Sequence, residues 1–170
     1  MRVRELFAFP EVVNDYAARC TAALVVTLAV ITIIVPAPAQ TVLAAVLAVG
    51  FALRVAGGPR YSPFGRLSVH VLAPRVSDGP KMVAGAPKRF AQAIGLVMSS
   101  IALGLFLAGL ATAGSVVLGV LAAAAFAEAA FGFCLGCWMY AQLQRAGVIA
   151  DDSCVECADI WSRPGMNART

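Results

Sequence analysis

Residues 115–140, SVVLGVLAAAAFAEAAFGFCLGCWMY, are apolar almost throughout, with Glu128 as the sole charge. A helix rises about 1.5 Å per residue, so about 20 apolar residues cross the roughly 30 Å hydrocarbon layer of a bilayer. The apolar positions are continuous rather than alternating. That pattern favours a helix, which satisfies its own backbone in lipid, over a barrel strand. The stretch therefore predicts a membrane helix over 115–140. Working outward, 91–110 is a second clean stretch, 17–35 ends at Pro36-Ala37-Pro38, and 41–56 is short enough that its helix takes in Arg54 near the headgroups. Four stretches in 170 residues, with 61% hydrophobic and only 13% charged residues, predict an all-α polytopic membrane protein built as a four-helix bundle. Residues 1–16 form an N-terminal segment, 17–140 the transmembrane domain with its loop 57–90, and 141–170 a cysteine-containing tail. Such a chain has no room for a separate soluble catalytic domain.

The thirteen basic residues fix the expected orientation. Arg2, Arg4 and Arg19 precede the first helix; seven more lie between the second and third; Arg145, Arg163 and Arg169 follow the fourth. The other two connections, 36–40 and 111–114, carry none. All positive charge thus falls on one face, which the positive-inside rule places in the cytoplasm along with both termini. The net charge of +4 then reflects topology and attraction to anionic membrane lipids. Binding of nucleic acid is not expected, because the basic residues are dispersed and no aromatic-interleaved groove accompanies them.

Chemistry enters with the cysteines. Cys134-Leu-Gly-Cys137 closes the fourth stretch, Cys154-Val-Glu-Cys157 lies in the tail, and Cys20 stands on the same membrane face. Two C-x-x-C pairs, sixteen residues apart, fall in the spacing range of a zinc site with four thiolate ligands, Cys134, Cys137, Cys154 and Cys157. Iron would use the same ligands. The same spacing serves dithiol exchange or persulfide transfer. Against exchange, a pair near a helix C-terminus meets a dipole that disfavours a thiolate. A reducing cytoplasm in turn argues against a permanent disulfide. Glu128 is the costly residue of the fourth helix, and it requires a partner such as Arg54 or Arg19, or a role in moving protons to the thiols.

Several runs of the chain resemble one family. Asn14-Asp15-x-x-x-Arg19, Gly58-Pro59-Arg60-Tyr61-Ser62-Pro63-Phe64-Gly65-Arg66, Pro87-Lys88-Arg89-Phe90-Ala91-Gln92 and Phe133-Cys134-Leu135-Gly136-Cys137 together resemble the bacterial integral membrane proteins grouped as domain of unknown function 4395. The resemblance implies a multi-pass protein of the bacterial cell membrane, in some members associated with thioredoxin-like or rhodanese-like proteins. A looser analogy with four-helix enzymes that couple disulfides to quinone adds quinone to the cofactors considered beside zinc and iron. Thiol or sulfur transfer with a soluble cytoplasmic partner, through Cys134, Cys137, Cys154 and Cys157 with Glu128 as proton carrier, is the leading expectation. The alternative is a zinc-clipped scaffold, or an accessory subunit within a larger membrane complex or a homodimer.

Overall fold

The computed structural model describes residues 12–58, 61–76 and 81–148. A short strand β1 (Val12–Asn14) leads into the first span, α1 (Asp15–Ile34), followed by the second, α2 (Ala39–Gly57). The connection from the second to the third span folds as α3 (Pro63–Leu67), a π-helical turn (Ser68–Leu72) and α4 (Ala73–Val76). Strand β2 (Met82–Ala84) then pairs antiparallel with β1, Val13 opposite Val83. The third span α5 (Gly85–Leu107), the fourth span α6 (Ala111–Phe131) and a short helix α7 (Leu135–Arg145) complete the order.

Four helices are long and apolar enough to cross a membrane, and the chain is a multi-pass membrane protein. At most 33% of any span's most apolar window is buried inside the protein. The remainder, including Val42, Val49, Val97, Ile101, Val116 and Phe126, points outward as apolar surface that only lipid can cover. Inside, Ala29, Ala44 and Ala102 are fully buried around Leu47, Phe51, Phe106 and Leu118. Small residues let the backbones approach, the main source of contact where lipid supplies no hydrophobic drive. Gly95 shows how tight this is: a Cβ there would lie 2.3 Å from the Phe51 ring.

Spans adjacent in sequence, first with second and third with fourth, pack together, but these pairs are only part of the arrangement. The most extensive contacts join second to third and first to fourth, so the spans close in a ring. Two boundaries also depart from expectation. The third helix starts at Gly85, because β2 delivers the chain directly into it. The fourth helix stops at Phe131 instead of continuing to Tyr140. Gly132 takes φ +70°, and its N–H bonds back to the carbonyls of Ala127 and Glu128, a left-handed cap that ends the helix.

Candidate functional site

That early stop changes the setting of the first cysteine pair. After Gly132 and Phe133 the chain turns into α7, whose N-cap is Cys134. The Cys134 sulfur accepts the backbone N–H of Cys137 at 3.3 Å. The pair thus occupies a helix N-terminus, where unpaired N–H groups and the helix dipole favour negative charge. This corrects the expectation of a C-terminal position and reverses the sign of the dipole argument. Gly136 has a packing reason for being glycine: a Cβ there would stand 2.6 Å from the Ala91 Cα of the third span. Phe90 and Tyr140, with ring centroids 5.6 Å apart, tie the two helices further along.

A buried charge cluster lies beneath the pair. The Lys88 ammonium reaches the Glu128 carboxylate at 2.7 Å and the Asp15 carboxylate at 3.1 Å, with all three side chains largely buried. Lys88 therefore links the first, third and fourth spans, and it is Lys88, rather than Arg54 or Arg19, that pairs with Glu128. Arg19 is otherwise engaged, donating to the carbonyls of Ala129 and Ala130 at 3.0–3.2 Å, where the fourth span leaves its last acceptors unpaired. Asn14 caps the first span by accepting the Tyr16 N–H at 3.0 Å. The Asp15 N–H bonds to the Lys81 carbonyl at 2.7 Å, extending the β1–β2 pairing to the start of the first span.

These surroundings push the two thiols apart in acidity. A hydrogen bond from the Cys137 thiol holds the Cys134 thiol below its ordinary value, and the Lys88 charge and the Cys137 N–H act in the same direction. Burial and Glu128 oppose them. Cys137 is pushed up by its hydrogen bond to Cys134, by burial and by the neighbouring thiolate. Of the pair, Cys134 is therefore the thiol more readily ionised and Cys137 the one that keeps its proton.

Two cavities meet at Cys134. An open cleft of about 240 Å³ is lined by Asp15, Val83, Lys88, Cys137 and Trp138. An inner cavity of about 120 Å³ runs between the spans past Glu128, Gln92 and Arg54 to Val25, Met98 and Leu121. Among the described residues, Cys134 alone lines both. Arg54 is buried, its Nε donating to the Gly50 carbonyl at 3.0 Å and its guanidinium 4.2 Å from the Phe51 ring centroid.

Cys134, Cys137 and Glu128 are thus brought together at one end of the bundle. Cys154 and Cys157, the other half of the expected metal or relay site, lie outside the described residues. Among the described residues no group of three or more His, Cys, Asp or Glu side chains is placed to hold a metal ion, and Cys20, Cys134 and Cys137 are free thiols. Lys88, Asp15 and Gln92 join the site although the sequence reading gave them no role in it, and Arg54, expected there only as a partner of Glu128, lines the inner cavity. The signal was present: a lysine inside an apolar helix entry, like Glu128, requires an opposite charge.

The fold and this end of it define a class, a four-span membrane protein with a dithiol capping a short helix at the membrane edge. The chain belongs to the family described as Domain of unknown function (DUF4395), whose model matches residues 13–145. No curated protein and no solved structure matches the chain.

Proposed function

We propose that this protein exchanges thiols and disulfides with a soluble partner at the cytoplasmic membrane face, with Cys134 as nucleophile and Cys137 as resolving thiol. The observation that carries the reading is the Cys134 sulfur at the α7 N-terminus, receiving the Cys137 N–H while opening onto a cleft beside Lys88. In the forward direction the Cys134 thiolate attacks a partner disulfide, forming a mixed disulfide and releasing one partner thiolate. Cys137 then gives up its proton and attacks the Cys134 sulfur, releasing the second partner thiolate and leaving a Cys134–Cys137 disulfide. The reverse runs through the same intermediate. A thioredoxin-like dithiol protein fits this chemistry, and a rhodanese-like donor would deliver a persulfide sulfur to the same thiolate. Cys154 and Cys157 provide a second dithiol that can pass the disulfide onward in the tail.

The test is trapping. With its resolving thiol removed, Cys137→Ser should accumulate a mixed disulfide with an oxidised thioredoxin-type protein, visible as a reductant-sensitive band shift. Cys134→Ser should not. Equal trapping by both variants would show that the tail or Cys20 carries the reactivity and would overturn the assignment.

A further inference from the structure

The inner cavity has features that thiol exchange with a soluble protein does not use. Arg54 Nη2 is buried without a hydrogen-bond partner among the described residues, and so is Gln92 Oε1. Arg54 is 4% exposed. Both residues line the 120 Å³ cavity whose rim includes Cys134. Unpaired buried donors and acceptors are costly, and native proteins leave few. A second space of about 30 Å³ also touches Arg54 and Gln92, but it has room for only about one water. The larger space is of the order of the roughly 150 Å³ apolar cavity known to admit benzene.

The charges decide what kind of head fits. Among the described residues the inner cavity is lined by two charged side chains of opposite sign, Arg54 and Glu128; Glu128 is paired with Lys88 and also acts electrostatically on Arg54. Arg19 is already matched to the end of the fourth span. The lining thus offers one charge of each sign, and a full anion would stand against Glu128. A neutral ring bearing carbonyl oxygens can accept from Arg54 Nη2, and its reduced form, bearing hydroxyls, can donate to Gln92 Oε1. Deeper lining by Val25, Met98, Val120 and Leu121 suits an apolar tail.

We infer that the inner cavity binds the head of a membrane quinone, which accepts the electrons of the Cys134–Cys137 dithiol. The inference rests on the proposed thiol chemistry and supplies its electron acceptor. Cys134 thiolate adds to the quinone ring, and Cys137 attacks the Cys134 sulfur, forming the S–S bond as the S–C bond breaks. The bonding pair leaves with the ring. The dithiol loses two electrons and two protons, and the quinone gains both to become the quinol. A soluble dithiol entering through the outer cleft reduces the disulfide again. Cys134, common to both cavities, is where the aqueous and lipid-soluble halves of the reaction meet.

The experiment uses the full chain in lipid nanodiscs, reduced, desalted and kept anaerobic, with decylubiquinone as acceptor. Wild type should form quinol and lose thiols in the ratio of one quinol to two thiols, and Cys134→Ser should form none. Arg54→Gln should slow quinol formation at least tenfold. Should that variant fail to fold, Ala124→Phe, which fills the cavity from the fourth span, should do the same. In parallel, the reduced wild type is offered glutathione disulfide. Thiol loss to glutathione disulfide without quinol formation would overturn the quinone inference and leave the exchange reading standing. Loss to neither acceptor would overturn both. Oleate binding that depends on Arg54, with no quinone reduction, would reassign the cavity to an anionic amphiphile and overturn the inference.

Discussion

Cys134 is set apart from Cys137 by what each receives. Cys134 takes hydrogen bonds from the Cys137 thiol and backbone N–H and feels Lys88, while Cys137 is the donor and is disfavoured as a thiolate by its neighbour. Alkylation requires the thiolate, so its rate rises with pH through the pKa. Because the Cys134 pKa is lowered, its rise should come at lower pH than that of an ordinary cysteine, with Cys137 silent over the same range. The nearby charges act with opposite signs, Lys88 lowering the value and Glu128 raising it. Stopped-flow iodoacetamide kinetics on chains retaining only Cys134 and Cys137 should therefore show the midpoint moving up in Lys88→Gln and down in Glu128→Gln. Movement in the same direction in both would mean that general loosening, rather than charge, sets the reactivity. The pair itself was legible in the sequence, because C-x-x-C is a local pattern. Its electrostatic sign was not. That sign depends on whether the helix ends before or after the cysteines, and on which cation a fold with long-range contacts brings beneath them.

At the scale of elements, the deciding feature is the break between the fourth span and α7. Phe131-Gly132-Phe133 lies inside an unbroken apolar run, and apolar periodicity gives no signal where lipid-facing and interfacial helices share composition. Glycine was the available clue, since only it adopts the φ of +70° found at Gly132 without strain. The four spans, by contrast, were readable from length and hydropathy alone, because the bilayer imposes both. The long-range pairing of β1 with β2 escaped notice, as three-residue strands far apart in the chain carry no periodic or turn signature. The role of α7 gives a test. Gly136→Ala places a methyl against the Ala91 backbone at 2.6 Å, so α7 must shift away from the third span. Overpacking of this kind costs about 1–3 kcal/mol. The variant should unfold earlier in detergent thermal melts and lose most of the enhanced Cys134 alkylation, since the cap moves with the helix. Gly104→Ala, where nothing lies within 4 Å, should leave both unchanged or gain up to about 1 kcal/mol from helix propensity. If Gly136→Ala behaves like Gly104→Ala, the α7 contact is not what holds the nucleophile.

For the whole molecule, the ring of spans puts the connections at residues 36–38 and 108–110 at one end. The β1–β2 pair, the connection between second and third spans and the start of α7 lie at the other. Three of the four family runs converge on that second end although they come from distant parts of the chain: Asp15 meets Lys88, Ala91 meets Gly136, and Arg19 holds the end of the fourth span just before Cys134. Among the described residues every basic side chain belongs to the segments at this end, and in the proposed reading the positive-inside rule turns the dithiol towards the cytoplasm. The chemistry depends on that orientation. Soluble dithiols that could feed electrons to Cys134 are maintained in the reducing compartment, and on the opposite face the same site would meet an oxidising one. In a background with all five cysteines replaced by serine, single cysteines at two exposed positions read the sidedness: Ala37→Cys between the first and second spans, and Val76→Cys between the second and third. A membrane-impermeant maleimide should label Ala37→Cys in intact cells and Val76→Cys only after permeabilisation. The reverse pattern would place the thiols outside, and the cytoplasmic donor in the proposed cycle would then have no access to the cleft beside Lys88.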